Sequence, residues 1–277
     1  MIIDFHTHIF APEIINNRDK YVAQDPLFKS LYADKKAKLA GVEDLIHNMD
    51  EQEIDFSVVQ NFQWSDPEIC HQSNQYIIES VGRYPRRLSG FGMISFESPA
   101  KALREIEFCA QNGLKGIGEI RPAPDILKNP AGLEPIVQSL IFHDLMVCAH
   151  SSEPLGHLYP GKGDITPQVL YPFISAFPGL KLVCAHWGGG LPFYSLIPEV
   201  KKALGQVYFD SAASPYLYGP QIYRQAAQLA GAEKVLFGSD YPLLKPRRLL
   251  AEIETLALPE EIKQQLLSGN ARKLLEI

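Results

Sequence analysis

Eight short β-rich runs, each followed by a stretch of helical periodicity, govern what this 277-residue chain can fold into. The runs are IIDFHTH (2–8), FSVVQNF (56–62), LSGFGMI (88–94), LKGIGEI (114–120), LMVCAHS (145–151), LKLVCAH (180–186), QVYFDSA (206–212) and KVLFGSD (234–240). Between them apolar residues recur with the spacing that gives a helix one buried face. Examples are Val42, Leu45, Ile46, Met49, then Leu133, Ile136, Val137, Leu140, Ile141, and after the sixth run Phe193, Leu196, Ile197, Val200. Crossover helices keep successive strands parallel, and eight such units close into a (β/α)8 barrel, an α/β TIM barrel in a single domain. A doubly wound open sheet is the alternative. That fold usually carries a glycine-rich dinucleotide turn after its first strand, where HTHIFAP stands here.

Composition narrows the function classes. At 46% hydrophobic residues, without a low-complexity tract, the chain can bury one large core. No apolar run approaches the roughly 18 residues that span a bilayer, and MIIDFHTH lacks the basic start and apolar centre of a signal peptide. The expectation is a cytoplasmic protein with no membrane partner. Cys70, Cys109, Cys148 and Cys184 form no CxxC pair and read as reduced, structural thiols. A net charge of -6 and a pI near 5.8 argue against a nucleic-acid partner. The stretch 11–41 is long for a connection after a first strand, and its charged and aromatic mixture predicts an inserted flap or a subunit contact.

The tetrapeptide VCAH ends two of the runs, at His150 and at His186. Side chains two apart in a strand point the same way, so Cys148 should share a face with His150, and Cys184 with His186. If that face is the barrel interior, each cysteine lies in a packed layer and each histidine at the C-terminal rim, where this fold builds its active sites. His6 and His8 follow the same rule on the first strand. Glu119 closes the fourth run and Asp240 the eighth. Five strand ends thus bring six imidazoles and carboxylates to one rim.

Taken singly, each has an ordinary reading: a hydrogen-bonded histidine, a Glu119 paired with Arg121, an Asp240 in a turn before Pro242. Burying them together without a cation would cost several kcal/mol per charge, on the order expected for unpaired ions. Mixed imidazole and carboxylate donors suit zinc, manganese or iron, with zinc the first choice, in one ion or two.

HTHIF, the histidine after the fifth strand, HWGGGLP, FGSDYP and the closing GNARKLL together resemble the amidohydrolase-related branch of the amidohydrolase superfamily. That branch holds metal-dependent barrel hydrolases and decarboxylases similar to aminocarboxymuconate-semialdehyde decarboxylase. The resemblance implies metal ligation by His6, His8, His150 and Asp240, with His186 acting on substrate or water, or holding a second ion. Glu119 departs from the decarboxylase pattern, while GIGEI looks like the stretch whose glutamate binds metal in TatD-like hydrolases. On that ground hydrolysis is the leading expectation: metal-activated water attacks an amide, ester or similar bond, Asp240 relays its proton and His186 stabilises the oxyanion. The alternative is non-oxidative decarboxylation of an aromatic or unsaturated acid. A barrel that has lost catalysis and only binds a ligand is a third reading, disfavoured by the complete set of six.

Specificity on a rigid barrel comes from the loops after the strands. Arg121, together with His157, Tyr159 and Lys162 in SSEPLGHLYPGKGDITP, offers cations and a phenol to a small, acidic substrate, and Trp64 and Trp187 offer apolar walls. His47, His71 and His143 fall on or near helices and read as structural. The resemblance also implies a homodimer.

Overall fold

A computed structural model describes residues 1–277. Its strands are β1 (Ile3–His8), β2 (Phe56–Gln60), β3 (Leu88–Gly92), β4 (Gly116–Ile120), β5 (Met146–Ala149), β6 (Leu182–Cys184), β7 (Val207–Asp210) and β8 (Val235–Leu236). They lie side by side in chain order and all neighbours are parallel. Closure comes from the chain beyond β8, which runs along β1: the Phe5 amide donates to Phe237 O at 2.7 Å, Asp240 to His6 O at 2.9 Å and His8 to Tyr241 O at 2.7 Å. This is the (β/α)8 barrel expected from the alternating runs, and it presents the C-terminal strand ends on one rim.

Two apolar layers hold it together. Inside the ring, Ile3, Phe5, Phe56, Val58, Phe91, Met146, Cys148, Val183 and Leu236 form one cluster, and Leu274 and Leu275 of the terminal helix (Asn270–Leu275) join it. Burying each of those two leucines is worth about 2 kcal/mol. The second layer lies between strands and helices and takes Val59, Ile117, Val147, Cys184 and Phe209.

The helices begin where a proline can occupy the first turn, as at Pro67–Arg83, Pro99–Gln111 and Pro130–Phe142, because its missing N–H would be unpaired there anyway. The stripes at 42–49 and 133–141 are largely buried, although Ile141 is exposed. The third stripe is corrected. Phe193, Leu196 and Ile197 are exposed, and only Val200 is buried, in the helix Pro198–Ala203. His186, Trp187, Gly188, Gly189 and Gly190 all have positive φ, so the chain coils left-handed and cannot continue as an α-helix. At Gly189 a Cβ would come within 2.2 Å of Ser152 O, which admits glycine alone.

Register decides what each strand presents. In the β5–β6 pair, Cys148 lies opposite Val183 and Ala149 opposite Cys184, so the two VCAH segments are offset by one residue. A slip of one flips every side chain. Cys148 accordingly packs inside the ring and Cys184 outside it, against the expectation that both face inward. His186 reaches the rim through its left-handed backbone, φ 54°, rather than by alternation from Cys184.

Two further register shifts act at the rim. β1 carries one extra residue between Asp4 and Thr7 relative to β2, and β4 one between Ile117 and Ile120 relative to β5. Bulges re-aim side chains beside functional sites. Here one lets Phe5 pack inside while His6 and His8 face the same interior, and the other turns Glu119 inward.

Residues 11–41 contain three short helices, Pro12–Asn16, Arg18–Gln24 and Pro26–Tyr32. Phe28 stacks on Trp64 with centroids 5.0 Å apart, and Tyr21, Phe62 and Tyr32 surround the pair. Trp64 is thereby a buried anchor for this segment rather than a wall.

Candidate active site

His6 and His8 bring their Nε2 atoms within 3.0 Å of each other. Asp240 Oδ1 lies 3.5 Å from His8 Nε2 and 3.9 Å from His6 Nε2, and Glu119 Oε2 lies 3.9 Å from both. Nitrogen and oxygen donors bind a transition metal at about 2.0–2.2 Å, so neighbouring ligands of one ion stand roughly 3.0–3.5 Å apart. Within this quartet the His6–His8 and His8–Asp240 distances fall in that range and the three at 3.9 Å lie a few tenths beyond it, and the donors are the mixed imidazole and carboxylate kind that such ions prefer.

Glu119 joins this group to a second one. Its Oε1 lies 2.9 Å from His150 Nδ1 and 3.1 Å from His186 Nε2. The other nitrogen of His150 meets Ser152 Oγ at 3.2 Å, so His150 reaches the quartet through Glu119 rather than by touching His8 or Asp240. His186 Nδ1 faces Ala212 O at 3.0 Å. A carbonyl and a carboxylate can only accept, so both ring nitrogens of His186 carry protons in this arrangement. Its pKa agrees: burial alone would lower it, but the hydrogen bond and charge of Glu119 raise it to about 9. Glu119 is held well below the usual carboxylate range; burial opposes this, and the charge and hydrogen bonds of His150 and His186 outweigh it. Burial, reinforced by the Arg121 charge, depresses His150 to about 4.

Two carboxylates escaped the sequence reading. Asp210, at the end of β7 and 0% exposed, puts Oδ2 2.8 Å from His6 Nδ1, while its Oδ1 accepts from the amides of His186 and Ala212, each at 3.0 Å. Asp4 accepts from the Ser239 amide at 2.8 Å and hydroxyl at 2.5 Å, which ties β1 to the residue before Asp240. The signal for Asp210 was present in QVYFDSA, a carboxylate closing a strand run like Glu119 and Asp240.

The candidate substrate contacts separate. Arg121 stays beside the rim: its amide donates to Gln63 Oε1 at 3.1 Å and its guanidinium to Gly161 O, which ties it to the loop after β5. Lys162 commits its ammonium to the carbonyls of Leu155 and His157 within that loop, at 2.9 and 3.1 Å. Tyr159 donates to Glu153 at 2.9 Å, and His157 is exposed. Trp187 is corrected as a wall: fully buried, it donates to Ser214 Oγ at 2.9 Å and meets Tyr223 edge-on, because the left-handed turn after His186 points it into the core.

A family model described as amidohydrolase matches residues 3–277. The chain belongs to the amidohydrolase family. Among curated proteins it is 22% identical to 2-amino-3-carboxymuconate-6-semialdehyde decarboxylase of Dictyostelium discoideum, over 99% of this chain and 91% of the relative. Among solved structures, 5-carboxyvanillate decarboxylase from Sphingomonas paucimobilis matches at TM-score 0.83 and 19% identity, covering 100% of this chain and 99% of the other. The 5-carboxyvanillate decarboxylase of Novosphingobium aromaticivorans, complexed with manganese and 4-hydroxy-3-methoxy-5-nitrobenzoic acid, matches at 0.79 and 19%, covering 100% and 96%. These relatives correct the leading expectation. They are named as decarboxylases, so hydrolysis by this amidohydrolase-family enzyme is withdrawn. Glu119 does point into the site, but a carboxylate there does not by itself select hydrolysis. No helix is long and apolar enough to cross a membrane.

Proposed function

We propose that this chain is a metal-dependent, non-oxidative decarboxylase of a small aromatic or unsaturated carboxylic acid. The observation that carries the reading is the convergence of His6, His8, Glu119 and Asp240 on one rim, each histidine Nε2 within 3.9 Å of both carboxylates. Relatives named as decarboxylases of such acids support it. Manganese is the ion to test first, ahead of zinc, because a structural relative is complexed with it. His6, His8 and Asp240 would hold the ion, with Glu119 beside them. When bound, it would supply a positive charge that binds acidic oxygens of the substrate and stabilises negative charge as it develops.

The chain's own residues account for the remaining requirements. Arg121 stands where a second cation can receive a carboxylate or phenolate oxygen. Loss of CO2 breaks the bond between the carboxyl and its carbon, and that carbon must gain a proton. His186 holds one on Nε2 at neutral pH, buried beside Glu119, and is the donor this reading assigns. Product release returns CO2, and His186 recovers its proton from solvent.

The experiment is a CO2-release assay with Mn2+-loaded enzyme against a panel of hydroxybenzoic and unsaturated dicarboxylic acids. Turnover that disappears on chelation and returns with Mn2+ is expected. No CO2 from any acid, with metal bound, would overturn the proposal.

A further inference from the structure

β3 leaves the ring early. It pairs with β4 through Phe91 and Gly92 alone, and above that level β2 and β4, which are not neighbours in the sheet, meet directly. The Asn61 amide donates to Gly118 O at 2.7 Å, and the Glu119 amide donates to Asn61 O at 2.9 Å. Asn61 thus holds both the carbonyl and the amide of the peptide that joins Gly118 to Glu119. Two residues on, Gln63 accepts from the Arg121 amide and donates to Ile94 O, each at 3.1 Å.

The polar groups freed where β3 ends are taken by one side chain. Asn74, fully buried on helix Pro67–Arg83, accepts from the Met93 amide at 2.7 Å and donates to Met93 O at 2.8 Å. Its Oδ1 also accepts from Asn61 Nδ2 at 2.7 Å, and its remaining N–H goes to Glu105 Oε1 at 2.8 Å. Both donors and both acceptor sites are filled. Turning the amide over would set NH2 against the Met93 N–H and the Asn61 NH2, so one orientation is fixed. Glu105 is in turn held by the His71 ring at 3.0 Å.

We propose that Asn61 and Asn74 are positioning residues that set how far Glu119 reaches into the rim: Asn61 holds its backbone, Asn74 holds Asn61, and neither side chain bonds the carboxylate. Glu119 sits between two histidine pairs, and a displacement of about 1 Å at such a site can cost on the order of a hundredfold in function. The proposal deepens the reading of the rim as a cation site and rests on it.

Asn61→Ala removes the side-chain link and leaves the backbone contacts of residue 61 in place. The control is Asn270→Ala. Asn270 also bonds two carbonyls, Ala232 O at 2.8 Å and Val235 O at 2.7 Å, at the far end of β8. Two quantities are measured: Mn2+ affinity, by titration with detection of the free ion, and amide hydrogen exchange at Glu119 in metal-free protein. Asn61→Ala is expected to weaken Mn2+ binding about 10–100-fold, as loss of outer support does for metal ligands, and to speed exchange at Glu119. Asn270→Ala should do neither, even with a comparable fall in Tm. Affinity and exchange matching wild type in Asn61→Ala, or an equal loss in Asn270→Ala, would overturn the proposal. If wild type binds no Mn2+, the cation reading of the rim fails, and exchange at Glu119 alone decides whether Asn61 positions it.

Discussion

Asp210 Oδ2 lies 2.8 Å from Nδ1 of His6, on the nitrogen opposite the one that faces His8. An ionised carboxylate there fixes the tautomer, so that Nδ1 carries the proton and Nε2 is turned to the quartet. The same carboxylate also receives the His186 amide, so it orients two rim histidines at once. Asp210→Asn cannot serve both, because its NH2 must face either the imidazole N–H or the backbone amides. Mn2+ affinity is expected to fall about 10–100-fold. A titration showing wild-type affinity would remove Asp210 from the site.

Glu119→Gln tests the proton on His186. Burial lowers the pKa of His186, and the Glu119 hydrogen bond and charge are what lift it to about 9. Without that charge the imidazole should titrate about two units lower or more, and lose at least about half of its charge at pH 7. Imidazole proton shifts of metal-free enzyme across a pH series measure this directly. CO2 release at neutral pH should fall in parallel. An unmoved midpoint would mean that Glu119 does not hold the proton in place.

The barrel was legible because its signal is periodic and spread over the whole chain. Local alternation failed where backbone geometry interrupts it. Phe5 and His6 occupy one side of β1 only because of an extra residue, and no residue type in IIDFHTH announces a bulge. His186 arrives through a left-handed turn rather than through alternation from Cys184, although HWGGG with its three glycines hinted at one. That turn also sends Trp187 inward and ends the helical stripe that Phe193 seemed to begin. The six rim residues were readable as strand-ending polar groups. Asp210 met the same criterion. Asn61 and Asn74 could not be found this way, since their role exists only because β3 stops short.

His150 gives a pH dependence of definite sign. Its folded pKa is about 4 against an ordinary 6.5, chiefly from burial and then from the Arg121 charge. Between those values the unfolded chain binds a proton that the folded one refuses, so stability falls as pH drops. His150→Gln removes the penalty. Asp4, raised by burial to about 7, acts with opposite sign over the same window but is common to both proteins and drops out of the comparison. Between pH 6.5 and 5 the metal-free variant should gain on wild type by about 1–2 kcal/mol. Urea unfolding at the two pH values checks it, and parallel curves would contradict the assignment.

Arg121→Lys separates charge from geometry. The guanidinium donates to Gly161 O, and Gly163 packs against it, so one planar group supports the loop after β5 while standing beside Glu119. Lysine keeps the charge and loses the fork that can hold a carbonyl and a substrate oxygen together. Substrate binding should suffer more than the chemical step, because His186 and the quartet are left intact. We expect KM for the acid to rise about tenfold, with kcat within about threefold of wild type and Mn2+ affinity unchanged. Steady-state kinetics on the best substrate of the panel give the split. A fall in kcat with constant KM would instead place Arg121 in the bond-breaking step, and no change in either would confine it to holding the loop.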